Sequence, residues 1–164
     1  MGCIHSEFKK VRHPQDENGL LYYTPISFEI NNEKVEVPMK IKTGTDISII
    51  GINSIKSESL KQFILSKPTI GEKTDIFGAK IDLREHIVEN LRITDRIIIP
   101  KMRIFFSETL NMDAWLGMDV LSRYTLEYSN RKFYLIKEQK YTRQDYEAAL
   151  ANKLSKQFMK EIPQ

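Results

Sequence analysis

The tightest constraint on this chain is a period-two alternation built around an Asn pair. Ile26, Phe28 and Ile30 alternate with polar residues, Asn31-Asn32 supplies turn chemistry, and Val35, Val37, Met39 and Ile41 resume the alternation. Successive strand side chains point to opposite faces, so the pattern predicts a half-buried β-hairpin. Thr43-Gly44 then breaks the second strand, and Ile47 to Ile50 follows as a short buried run before Gly51. Further strand-like runs cover Asp75 to Leu83, Ile87 to Thr94, Arg96 to Pro100, Met102 to Phe106, Ala114 to Leu116, Thr125 to Tyr128 and Lys132 to Ile136. Many short strands with turn signals between them predict an all-β fold, a barrel or a sandwich.

Two segments depart from that rhythm. From Ser54 to Leu65, Ile55, Leu60, Phe63 and Ile64 are spaced for a short helix that Pro68 ends. Near the C-terminus Thr142 and Asp145 have capping-box spacing, and Tyr146, Leu150, Leu154 and Phe158 recur every four residues up to Pro163. That stripe predicts an amphipathic helix docked on a core or on a partner. Residues 1–19 are polar and mixed in charge, with neither period. The division expected is a flexible arm over 1–19, one domain over 20–137 and a helical extension over 138–164.

Composition narrows the function classes. Of 164 residues 41% are hydrophobic, enough for one core, and 25 basic against 22 acidic residues leave only +3, too even for a phosphate-tracking surface. No nucleic-acid partner is expected. The single cysteine, Cys3, cannot form an internal disulfide, and no Cys/His spacing suggests a metal site or a bound cofactor. With no apolar run long enough to span a bilayer and no secretory signal core, a reducing, cytoplasmic setting is expected.

The chemistry-bearing stretch is Val37-Pro38-Met39-Lys40-Ile41-Lys42-Thr43-Gly44-Thr45-Asp46-Ile47-Ser48-Ile49-Ile50, followed some distance later by Ala114-Trp115-Leu116-Gly117-Met118-Asp119-Val120-Leu121. In order and spacing the pair resembles the two signatures of retropepsin-like aspartic proteases: an apolar strand running into Asp-Thr-Gly, then an apolar pair with Gly and a short helical turn. The resemblance implies a closed β barrel over roughly Leu20 to Ile136. It places Thr43, Gly44 and Thr45 in the loop that braces a dimer, Thr43 by hydroxyl contact with the partner and Gly44 by permitting a close approach. Asp46 would bind substrate or partner, Leu116, Gly117 and Asp119 would form the second signature, and Ile76-Phe77-Gly78-Ala79-Lys80 would be the tip of a flap hairpin.

Lys42 stands where the family's catalytic aspartate belongs. The family's chemistry needs two carboxylates sharing a proton, one acting as general base on water. A lysine ammonium has no acceptor lone pair and cannot take that proton. The expected function is therefore that of a non-catalytic protein or peptide interaction module, dimeric with itself or with a sister subunit. The alternatives are an aspartic-type endopeptidase working through an altered site, and a membrane-tethered scaffold.

Met1-Gly2-Cys3-Ile4-His5-Ser6 resembles the acylated start of Src-family kinases, which implies Gly2 as a myristoyl acceptor, Cys3 as a palmitoylation site and a membrane surface as partner. Lys9, Lys10 and Arg12 would add basic attraction to the cytoplasmic leaflet. In a cell without the myristoyltransferase the same residues would be an inert tail. His86 reads as an ordinary polar or packing residue and not a catalyst, and Trp115 as core or interface.

Overall fold

The computed structural model describes residues 3–74 and 77–138. Gly2 and the helix expected through Tyr146, Leu150, Leu154 and Phe158 lie outside them. The strands are β1 (Cys3–Glu7), β2 (Tyr23–Ile30), β3 (Glu33–Ile41), β4 (Ile49–Gly51), β5 (Gly71–Thr74), β6 (Lys80–Thr94), β7 (Ile97–Ser107), β8 (Ala114–Leu116), β9 (Thr125–Ser129) and β10 (Lys132–Glu138). Among the described residues the helices are α1 (Glu58–Leu65) and α2 (Met118–Leu121), both short, with a 3₁₀ turn at Ile52–Ser54.

The hairpin forms as its alternation requires. Ile26 pairs with Val37 and Phe28 with Val35, while Asn31 (φ 50°) and Asn32 (φ 63°) take the left-handed turn conformation that Asn tolerates. Asn130 and Arg131 repeat the device between β9 and β10. In the larger sheet the order β2-β3-β8-β4-β7-β6 closes on itself, because β2 also pairs with β6. The all-β barrel expected from the sequence is thus present, with one continuous core of inward side chains such as Ile26, Phe28, Val37, Met39, Val88, Leu91, Ile104, Phe106 and Leu116. A register shift between Ser27 and Glu29 bends the closing seam.

Several boundaries differ from the expectation. The run at 96–106 is not broken at Pro100: β7 passes through it, and the β6 ladder steps from Leu91–Ile99 to Glu89–Lys101, leaving the exposed proline opposite Asn90. The run from Asp75 to Leu83 is not one strand, since β6 begins only at Lys80 and its partner β5 lies before Asp75. Helix α1 starts at Glu58 because the Ser57 hydroxyl accepts the Leu60 N–H at 3.3 Å. Ile55 is buried ahead of that cap.

The largest correction concerns residues 3–19, which are not an exposed arm. β1 pairs with β10, the Phe8 side chain is fully buried, and Phe8 N–H donates to the Phe133 carbonyl at 2.8 Å. Buried Ser6 bonds the Thr94 hydroxyl, and the Asp16 carboxylate accepts the N–H groups of Leu20 and Leu21. The compact unit accordingly begins at Ile4 and runs to Lys137. Polar residues occupy inward positions here and are satisfied by hydrogen bonds, so no hydrophobic period marks the segment.

Candidate functional site

The site grows out of one feature of sheet order. β3 and β4 are consecutive in the chain, yet β8 lies between them: parallel to β3 through Lys40–Trp115 and Ile41–Leu116, antiparallel to β4 through Ile49–Trp115 and Ile50–Ala114. The connection from Lys42 to Ser48 must therefore arch across the end of β8. Lys42 N–H donates to the Leu116 carbonyl (2.9 Å), Met118 N–H to Thr45 (2.8 Å) and Asp119 N–H to Asp46 (3.0 Å). The two motifs read in the sequence meet here residue against residue.

Asp119 locks the arch. Its carboxylate accepts both the Ser48 hydroxyl (2.6 Å) and the Ser48 N–H (2.9 Å), and the Ser48 oxygen in turn accepts the Gly117 N–H (3.0 Å). Ser48 is fully buried and passed unnoticed in the sequence, although a lone hydroxyl inside Ile47-Ser48-Ile49-Ile50 signals a buried group in need of a partner. Gly117 is obligatory for a steric reason: a Cβ there would lie 2.5 Å from the Ile47 carbonyl oxygen. The close approach expected at Gly44 is not found within the chain, since nothing lies within 4 Å of a Cβ built there and its φ is not in the left-handed region. The crowded glycine of this loop pair is the one in the second motif.

Thr43, Gly44 and Asp46 stand exposed on the arch, and Thr45 is buried. Lys73 of β5 reaches across to donate to the Thr45 hydroxyl at 2.6 Å, so the β5–β6 hairpin is tied to the arch. The far end of this hairpin carries Phe77, Gly78 and Ala79, all exposed, with Gly78 at φ 82° where a Cβ would be strained. Beneath lies a second apolar cluster of Ile49, Ile81, Leu83, Phe105 and Leu110, with Ile47 and Trp115 packed against it. Asp82 anchors the hairpin base: burial would raise its pKa, but N–H groups of Thr109 and Glu108 and hydroxyls of Thr109 and Ser107 outweigh burial and hold it well below the usual carboxylate range.

Lys42 is half-buried, and its Nζ sits 3.2 Å from the centre of the Trp115 ring. The indole N–H donates to Asp113 (2.9 Å), whose other oxygen accepts the Ala114 N–H (2.9 Å) and the Tyr23 hydroxyl (3.3 Å). Burial first, and then the Asp113 charge, push the Tyr23 phenol up to about 12. His13 stacks on Tyr23 at 4.4 Å, accepts the Gln15 N–H at Nδ1 and donates from Nε2 to the Met112 carbonyl. The N-terminal segment thus reaches the site through Tyr23 and Asp113, a link the sequence reading missed.

Other candidates lie elsewhere or are structural. Cys3 is exposed at the start of β1, and His86 is buried against Phe106 and bonded to the Ile64 carbonyl, which fits its reading as a packing residue. Among the described residues no group of three His, Cys, Asp or Glu is placed to hold a metal ion.

No family model matches the chain, and no curated protein matches its sequence. Among solved structures it is similar to a retropepsin-like aspartic protease from Rickettsia conorii (14% identity, TM-score 0.49, covering 83% of this chain and 98% of that one). It is also similar to the EIAV protease complexed with the inhibitor HBY-793 (16%, 0.42, 68% and 92%). A third is the retroviral protease-like domain of Ddi1 from Leishmania major (15%, 0.42, 74% and 98%).

Proposed function

We propose that this chain is a pseudoprotease of retropepsin-like design, a protein or peptide interaction module whose arch no longer carries out aspartic-protease chemistry. The observation that carries the reading is Lys42 on Trp115: the position that the motif resemblance assigns to a catalytic carboxylate holds a cation resting on an aromatic face. The ring quadrupole attracts the ammonium form, which has no lone pair with which to activate water. The brace formed by Ser48, Gly117 and Asp119 supports retention of the arch as a scaffold for binding. Incubation of a diverse peptide library with the wild type and with Lys42→Asp tests this. Wild-type cleavage sinks the reading, whereas peptide retention without cleavage supports it.

Exposure of Thr43 and Gly44 favours pairing through the same arch. Two copies would bring lysines together, whereas a partner with a carboxylate at this position would oppose charges, so a heterodimer is the favoured assembly. Sedimentation of the wild type and Lys42→Asp separates these cases: stronger self-association of the variant agrees with the charge argument, and unchanged affinity counts against it.

A further inference from the structure

We infer that His13 is a positioning residue for Trp115, and that the loop over 12–20 is a latch whose seating sets how firmly the indole is held beside the arch. The inference goes beyond the interaction reading and holds whether or not the arch binds peptide. The loop leaves the barrel after the Val11–Tyr23 bridge, and within it His13 and Asp16 are the buried residues. Asp16 works locally, accepting the N–H groups of Leu20 and Leu21. His13 is therefore the buried side chain through which the loop grips the barrel.

That grip reaches Met112 and Asp113 by two routes. Nε2 donates to the Met112 carbonyl at 3.0 Å, and the ring stacks on Tyr23 with 16° between planes, whose hydroxyl donates to Asp113 Oδ1 at 3.3 Å. Gln15 N–H donates to Nδ1 at 3.1 Å, which leaves the ring proton on Nε2 and so fixes the direction of the Met112 bond. Burial first, and then the Asp113 charge, push the Tyr23 phenol up to about 12, so the hydroxyl keeps its proton and stays a donor. At 3.3 Å its bond is already long for O–H···O, so the placement of the Tyr23 ring decides whether it forms. Asp113 Oδ2 in turn accepts the indole N–H of Trp115 at 2.9 Å, and Trp115 pairs in register with both Lys40 of β3 and Ile49 of β4. Ser54 also donates to the Met112 carbonyl and Gly51 N–H to the Asp113 carbonyl, so loss of His13 loosens this segment without freeing it.

Trp115 is the only tryptophan, so the full chain gives one indole N–H resonance, and that proton reads the Asp113 bond directly. Its shift and its exchange with solvent are measured in the wild type, His13→Ala, His13→Phe and Tyr23→Phe. Ser6→Ala serves as control, since it removes a buried hydroxyl of the same N-terminal segment that bonds Thr94 instead. The expected result is exchange about fivefold faster with a moved resonance in His13→Ala, a change in the same direction in Tyr23→Phe, and wild-type behaviour in Ser6→Ala. His13→Phe keeps a ring for Tyr23 but cannot donate to Met112, so it should fall between wild type and His13→Ala, and it reads the latch by itself where the alanine variant does not fold. A wild-type shift and exchange rate in the His13 variants overturns the inference. An equal change in Ser6→Ala overturns it too, because the indole would then be reporting a general loosening of the fold.

Discussion

The N-terminal segment up to Leu21 and the arch from Lys42 to Ser48 solve the same problem by different means. Each brings polar side chains into the interior. In the segment the load is spread: Ser6 on Thr94, His13 on Met112, Asp16 on the loop that follows it. In the arch it falls on Asp119, which serves Ser48 twice and through Ser48 reaches Gly117. A dispersed network tolerates loss of a member, while a concentrated one fails with its centre. What holds the segment down most firmly is thus its apolar anchor, Phe8, and what holds the arch is a carboxylate.

Phe8→Ala should give the largest effect, about 3–5 kcal/mol by chemical denaturation, since it empties a fully buried aromatic site. A loss under ~1 kcal/mol would return the segment to the status of an arm. Asp119→Ala should cost about 2–4 kcal/mol by leaving buried Ser48 donors unpaired, and should raise amide exchange at Met118 and Asp119. Next comes pH: the depressed pKa of Asp82 means that its contribution is complete above the ordinary carboxylate range and drains as pH falls toward the depressed value. Calorimetry across acidic pH should show a flatter acid limb in Asp82→Asn than in the wild type. Lys42→Met should cost at least about 1 kcal/mol, the scale of the cation–π contact by itself, with a shift in Trp115 emission. Gly44→Ala should be the smallest, within about 0.5 kcal/mol for the isolated chain, because its Cβ meets nothing.

The same contrast explains what could be read from the sequence. The barrel was legible because apolar alternation repeats in strand after strand, and the arch because Thr-Gly and Leu-Gly punctuate those strands at recognisable places. Residues 3–19 were not, since Ser6, His13 and Asp16 are buried by bonding to groups far away in the chain or to main-chain atoms, and residue type alone carries no trace of such partners. Within the chain the crowded glycine is Gly117 and not Gly44, which a motif could not show, because it marks a glycine without showing which backbone approaches it. The Lys42–Trp115 contact was illegible for the same reason: it depends on strand register, not on sequence distance.

The insertion of β8 between β3 and β4 also orders events in time. Every hydrogen bond that β8 and α2 make to the arch comes from residues that leave the ribosome well after the arch itself. Until synthesis has passed Leu121, the arch has two flanking strands with no seat between them. The loop between Lys42 and Ser48, early in the chain, consequently takes its final shape late, and a nascent chain lacking Ala114–Leu121 has no seat for the arch between β3 and β4.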